Sequence, residues 1–117
     1  MQNIKWRLSL VALILCTILG SSCVQSNKSP VIESLTAEPP IVTQGKSATV
    51  TCVASDPDGD TLSYQWVATK GNMSGQGSTV TWMAPDTCGN YVITVTVMDS
   101  GGKKVNEELP IRVKKPG

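Results

Sequence analysis

Apolar and polar residues alternate with a period of two along most of the chain after Pro30. Ala48–Ala54 places Ala48, Val50, Cys52 and Ala54 on one face, and Val80, Trp82 and Ala84 share a face in the same way. Successive side chains of a strand point to opposite faces, so these segments predict half-buried strands. The alternation predicts strands in Val31–Thr36, Ala48–Ala54, Leu62–Val67, Ser78–Ala84, Tyr91–Val97 and Lys104–Val113, and we expect about seven strands in all.

The breaks between these segments are rich in residues that form turns. Pro39 and Pro40, the segment Asp56–Asp60, Gly75–Gly77 and Ser100–Gly102 interrupt the alternation, and no helical period follows the N-terminal segment. The pattern predicts an all-β, two-sheet Greek-key sandwich over residues 30–115. Trp82 is expected in its core; the alternative is an exposed platform that stacks on a sugar ring.

The N-terminal segment has the pattern of a signal peptide. Lys5 and Arg7 precede Leu8–Leu19, an apolar run of twelve residues, whereas a membrane-spanning helix needs about 20. We expect residues 1–22 to be removed during export. Cys16 lies inside the discarded run and is expected to have no role.

Cys23 follows the small residues Gly20, Ser21 and Ser22, an arrangement that resembles a bacterial lipobox. The resemblance implies that Cys23 is lipidated and that residues 23–29 form a short tether to a membrane on the extracytoplasmic side. Gly20 stands where the lipobox usually has Leu. Ordinary cleavage after Ser22, which would leave Cys23 as a thiol, is the alternative.

The composition argues against catalysis and against binding driven by charge. The chain has no histidine, which removes the commonest general base. The formal net charge is +1, or −1 once Lys5 and Arg7 are removed, so nucleic acid is not an expected partner. We therefore expect no enzyme.

Two strings carry a family resemblance. Asp56–Trp66 (DPDGDTLSYQW) and Gly89–Asp99 (GNYVITVTVMD) resemble bacterial members of the PKD (polycystic kidney disease) and Ig-like repeat families. The resemblance implies an Ig-like sandwich with Trp66 in the core and Tyr91 as a corner tyrosine bonded to nearby backbone. Many PKD domains carry WDFGDG after this tryptophan, whereas Val67, Ala68 and Thr69 follow it here. That difference favours the wider Ig-like group.

Asp56, Asp58 and Asp60 alternate on one tight turn and are the chain's main chemical feature. In the sandwich topology Asp99 is expected at the same end, with Asn27 and Glu33 near it. Calcium binds six to eight oxygens and suits such a set. Two interpretations stay open: a calcium site formed by Asp56, Asp58, Asp60 and Asp99, or a solvated turn with no cofactor.

Cys52 and Cys88 remain after Cys23 is assigned, and an even number of cysteines in an oxidising compartment predicts a disulfide between them. The resemblance opposes this pairing, because antibody-type sandwiches place the second cysteine two residues after the corner tyrosine, where this chain has Ile93. The bridge is kept as an expectation.

The expected function is a membrane-anchored interaction or spacer module without catalytic activity, whose partner is a surface protein or a polysaccharide. The alternatives are an accessory subunit that docks on a larger secreted or membrane complex, and a carbohydrate-binding module.

Overall fold

A computed structural model describes residues 27–117. The predicted signal peptide at residues 1–22 and the predicted lipidation at Cys23 lie outside the described residues. No helix of residues 27–117 is long and apolar enough to cross a membrane.

The described residues form two four-stranded sheets, which confirms the all-β sandwich. The strands are β1 (Val31–Glu38), β2 (Ile41–Thr43), β3 (Ser47–Ser55), β4 (Ser63–Ala68), β5 (Asn72–Ser74), β6 (Thr79–Met83), β7 (Gly89–Met98) and β8 (Lys104–Lys114). One sheet has the order β1-β3-β6-β5 and the other β2-β8-β7-β4. β2 pairs with β8 in parallel and the other neighbours are antiparallel.

The predicted alternation decides which side chains enter the core. Ala48, Val50 and Cys52 on β3 are buried, as are Val80 and Trp82 on β6 and Ile93, Val95 and Val97 on β7. Trp82 is 0% exposed and its indole N–H donates to the Lys70 carbonyl at 2.9 Å. A buried, hydrogen-bonded indole leaves no face for a sugar ring, so Trp82 is a core residue.

The two other predicted core aromatics lie at the margin of the core. The Tyr91 hydroxyl donates to the Thr87 carbonyl at 2.7 Å, four residues earlier, which is the expected corner geometry. Trp66 is half-buried and packs against both halves of the core, and its indole N–H donates to the Gly77 carbonyl at 2.9 Å. Each polar atom of these rings therefore has a backbone partner.

The predicted bridge between Cys52 and Cys88 is not formed, and both residues are free thiols. Cys52 is buried on β3 beside Val95 and Val97, whereas Cys88 is exposed just before β7 begins. Val95 lies seven positions after Cys88 along extended β7, about 23 Å of chain, while a disulfide joins Cα atoms no more than about 7 Å apart. The structure therefore agrees with the objection drawn from the family resemblance and not with the parity argument.

Candidate metal centre at the acidic pole

Two loops meet at one end of the sandwich and bring three carboxylates together. Asp56 and Asp60 lie in the loop that follows β3, and Asp99 follows the last residue of β7. One carboxylate oxygen from each of Asp56, Asp60 and Asp99 lies within 4.8 Å of the other two. We call this end of the sandwich, defined by these three residues, the acidic pole.

Asp99 is the most buried of the three, at 5% exposed. Its Oδ1 accepts the backbone N–H of Lys103 at 2.9 Å and its Oδ2 accepts the side-chain amide of Asn27 at 3.0 Å. The first bond closes the β7–β8 turn, and the second attaches the segment that precedes β1 to Asp99. Asp99 therefore organises the pole, and each of its oxygens retains a lone pair for a further ligand.

Asp56 has one satisfied and one unsatisfied carboxylate oxygen. Oδ1 accepts the backbone N–H of Asp58 at 2.7 Å, and the Asp56 carbonyl accepts the N–H of Gly59 at 2.9 Å. Gly59 has φ of +74°, which closes this tight turn and is easily adopted only by glycine. Oδ2 is buried and has no hydrogen-bond partner among the described residues. A buried carboxylate oxygen is costly to leave unpaired, and a cation would compensate it.

The acidic pole opposes the ionisation of Asp60. Desolvation raises its pKa above the ordinary value, and the charges of Asp56, Asp99 and Asp58 raise it further. A hydrogen bond from the Ser100 side chain acts in the opposite direction. The pole therefore concentrates more negative charge than its protein surroundings neutralise.

Asp58 does not belong to the cluster. Its Oδ2 accepts the backbone N–H of Lys28 at 2.7 Å, so its carboxylate is bound to the segment before β1. Glu33, considered as an additional ligand, accepts the Ser55 hydroxyl at 3.1 Å. The predicted set of four aspartates is reduced to Asp56, Asp60 and Asp99, with Asn27 beside them as a hydrogen-bond donor to Asp99.

The donor set fits a hard cation. Carboxylate oxygens are the ligands that calcium prefers in proteins, and three carboxylates leave the remaining positions to backbone oxygens or water. The unpaired Oδ2 of Asp56 and the repulsion on Asp60 are the two observations that favour this fit. When bound, calcium would supply charge neutralisation and would join the β3–β4 loop to the β7–β8 turn.

Sequence reasoning missed the residues that support this cluster. Ser100 and the backbone N–H groups of Lys28 and Lys103 were not identified, because their role depends on the path of the chain and not on residue type. Gly101 was identified from sequence only as part of the turn Ser100–Gly102. A Cβ at Gly101 would collide with the side-chain amide of Asn27, which would have to shift from its position on Asp99.

The two sheets and the acidic pole define an Ig-like sandwich module with one charged end. Residues 34–113 match the PKD domain family, so the chain belongs to that family. The missing WDFGDG string was expected to favour the wider Ig-like group, and the match to the PKD family shows that this preference was wrong. No curated protein matches the chain significantly.

Solved structures support the same assignment. The chain is similar to the PKD1 domain of Vibrio anguillarum Epp, with 26% identity, a TM-score of 0.61, and coverage of 78% of this chain and all of that one. It is also similar to the PKD1 domain of the Vibrio cholerae metalloprotease PrtV, with 27% identity, a TM-score of 0.57, and coverage of 75% and 100%. A nucleoside hydrolase-related hypothetical protein from Saccharophagus degradans shares the fold at 20% identity and a TM-score of 0.60; 76% of this chain covers 26% of that protein.

PKD domains are typically extracellular interaction or spacer modules and are typically non-catalytic. Membership therefore agrees with export and with a binding or spacing role. A shared fold does not by itself identify an anchor, a partner or a bound cation.

Proposed function

We propose that this protein is an exported PKD module, anchored to a membrane by lipid on Cys23, that acts as a non-catalytic spacer or interaction unit. The observation that carries the proposal is the attachment of the tether to the acidic pole. Asn27 donates to Asp99 and the Lys28 N–H donates to Asp58, so the segment after Cys23 is hydrogen-bonded to one end of the sandwich.

This attachment has a geometric consequence for an anchored chain. Asn27 lies four positions after Cys23, which is about 14 Å at full extension. The acidic pole would then lie next to the membrane surface. The strands β7 and β8, which end and begin at this pole, would extend away from the membrane. A lipid-anchored module of this kind has a preferred orientation instead of swinging freely on a long linker.

Calcium is the second part of the proposal. Asp56, Asp60 and Asp99 would hold the ion at the pole where the tether is bound. Neutralising their charge would relieve the repulsion on Asp60 and compensate the unpaired oxygen of Asp56. The ion would stiffen the junction between anchor and module, which is a structural role without chemistry on a substrate.

The test of the anchor is the intact mass of the protein purified from its own envelope, together with its partition between membrane and soluble fractions. We expect a chain that begins at Cys23 with the added mass of lipid and that stays with membranes until detergent is added. Cys23→Ser is the matched variant and should block lipidation. An unmodified chain that starts at Cys23, or one cleaved elsewhere, would refute the anchor and leave only export.

The alternative role is an accessory subunit of a larger complex. The solved PKD1 domain of PrtV is one domain of a metalloprotease, which favours association of such a module with a larger partner. Affinity purification of the intact protein from detergent-solubilised envelopes separates the two roles. A stoichiometric partner that survives washing would establish the accessory role, and recovery of the protein alone would support the spacer.

A further inference from the structure

Four strands form the edges of the two sheets, and three of them carry features that block further pairing. β1 has a register irregularity between Ile32 and Ser34 and carries Glu33 and Glu38. β2 and β5 have three residues each. Bulges, charges and very short edge strands are the usual means by which proteins prevent edge-to-edge association.

β4 is the exception. It contains six residues, Ser63–Ala68, with no charged residue and no proline, and its register with β7 is unbroken. Val67 on its outer face is 60% exposed. A regular, uncharged edge with an exposed apolar side chain is a surface to which another strand can be added.

The pairing with β7 shows which backbone groups β4 leaves free. The Thr69 N–H donates to the Val92 carbonyl at 3.0 Å. Hydrogen-bonded positions alternate along an antiparallel pair, so Ser63, Gln65 and Val67 bond to β7 while Tyr64, Trp66 and Ala68 direct their N–H and C=O groups outward. Within residues 27–117, β4 pairs with no other strand.

The charges at the two ends of β4 are complementary to each other. Asp58 and Asp60 lie before the strand and Lys70 lies after it. If two copies paired antiparallel with Trp66 opposite Trp66, Tyr64 of each would lie opposite Ala68 of the other, and all the outward groups would be used, about six hydrogen bonds. Lys70 would then lie two positions from the other copy's Asp60, about 7 to 8 Å between backbones, which a lysine side chain can span.

We propose that the β4 edge binds the β4 edge of a second copy of this chain in that antiparallel register. The pairing joins the two four-stranded sheets that contain β4 into one continuous sheet. It covers part of Val67 against Gln65 of the other copy, and it places the basic end of each strand beside the acidic end of its neighbour. The pairing does not require the proposed lipid, and the one residue that it shares with the proposed calcium site is Asp60.

Sedimentation equilibrium of the full chain in detergent, chelator and reducing agent tests the proposal. Detergent imposes no orientation, chelator excludes calcium, and reducing agent excludes dimers joined through Cys88. We expect a reversible monomer–dimer equilibrium. Lys70→Glu should raise the dissociation constant at least about tenfold at low salt, because it places an acidic group beside Asp60, and the difference should shrink as salt screens the charges.

Lys115→Glu is the matched control, because it makes the same charge change on an exposed residue outside the strands and remote from β4. It should leave the dissociation constant unchanged. A chain that stays monomeric at every concentration, or a dimer that Lys70→Glu and Lys115→Glu weaken equally, would overturn the proposal. So would a monomer that pairs through β4 only with a different protein.

The register is tested by mixing two variants, Gln65→Cys and Val67→Cys, each also carrying Cys88→Ser. These positions face each other in a non-hydrogen-bonded pair of the proposed register, where Cα atoms about 4.5 Å apart can form a disulfide. We expect the mixed dimer to form faster than either dimer of like chains. Thr96→Cys, on the interior strand β7, should not cross-link with Val67→Cys. Equal yields from all pairs would contradict the register.

Discussion

Asn27 and Asp99 are 72 residues apart in sequence, and the side-chain amide of Asn27 donates to the buried carboxylate of Asp99 at 3.0 Å. This bond fixes the entry of the chain at the same pole as the β7–β8 turn. It ties the tether to the site at which the calcium proposal places the ion.

Asn27→Ala should lower the free energy of unfolding by about 1 to 3 kcal/mol, because it removes a hydrogen bond to a buried charged group. In a domain of this size that corresponds to a decrease of several degrees in Tm. Lys28→Ala is the control, since Lys28 bonds to Asp58 through its backbone N–H. Urea unfolding of both variants checks the prediction, and an equal loss in the two would contradict it.

The raised pKa of Asp60 predicts that the protein loses stability as the pH rises through that pKa. The pKa of Asp60 is raised in the folded protein, chiefly by desolvation and then by Asp56, Asp99 and Asp58. A raised carboxyl pKa contributes stability below the unfolded pKa, and that contribution is lost as pH rises through the folded pKa. In chelator, Asp60→Asn should therefore raise Tm at pH 7 and have little effect at about pH 3, where the aspartate is protonated in both states.

Thermal melts of the wild type and Asp60→Asn across this pH range measure the effect. Asp86→Asn is the control, because it removes the same charge from a turn that precedes β7, at the opposite pole. It should not give a comparable gain at neutral pH. A lower Tm for Asp60→Asn at pH 7 in chelator would show that its carboxylate stabilises the pole.

The sandwich could be predicted from sequence wherever a strand is long enough to show its period. β3, β6 and β7 alternate over five residues or more, and the inward residues predicted for β3 and β6 are buried or half-buried. β2 and β5 were missed, since three residues beside Pro39–Pro40 or Gly71 cannot show a period. Their pairing depends on partners far along the chain, Arg112 to Lys114 on β8 for β2 and Thr81 to Met83 on β6 for β5.

The acidic pole was predictable in part, because its residues follow from the order of the strands. Sandwich topology brings Asp99 to the loop that contains Asp56 and Asp60, and the structure places the three together. The role of Asp58 was not predictable from spacing. Its carboxylate is bound to the Lys28 N–H and its own N–H to Asp56, which are contacts that depend on the path of the backbone.

Gly71 should be the glycine least tolerant of substitution. Its φ is +87°, and a Cβ there would lie 2.5 Å from the Met83 carbonyl oxygen and 2.6 Å from the indole nitrogen of Trp82. Gly77 has a similar φ of +89° with nothing within 4 Å of the added atom. Gly77→Ala measures the conformational cost alone, about 1 to 2 kcal/mol.

Gly71→Ala should cost more than Gly77→Ala, because it adds the collision with the Trp82 ring and disturbs the bond from that indole to Lys70. Chemical denaturation of both variants gives the difference. Equal losses would mean that Trp82 shifts freely, which would contradict its role as the fixed centre of the core.

The two thiols should differ in reactivity. Cys88 is exposed and shares a surface groove with Arg112, Lys114 and Lys115, so it should react with a maleimide in the native protein. Cys52 is 1% exposed and burial raises its pKa, both of which protect it until the protein unfolds. Mass spectrometry after native and denatured labelling checks this. Failure of both thiols to react after denaturation would restore the disulfide.

The calcium proposal predicts a cation-dependent Tm that requires some aspartates of the turn and not others. With millimolar calcium and a Kd of about 10⁻⁴ M, binding to the folded state alone adds about 1.4 kcal/mol, or several degrees in Tm. Asp60→Asn should abolish the increase, since Asp60 belongs to the cluster with Asp56 and Asp99. Asp58→Asn, from the same turn but outside the cluster, should retain most of it. If the wild type melts at the same temperature in calcium and in chelator, the acidic pole is only a solvated turn. If both variants lose the calcium-dependent increase in Tm equally, overall charge and not a coordination site controls the effect.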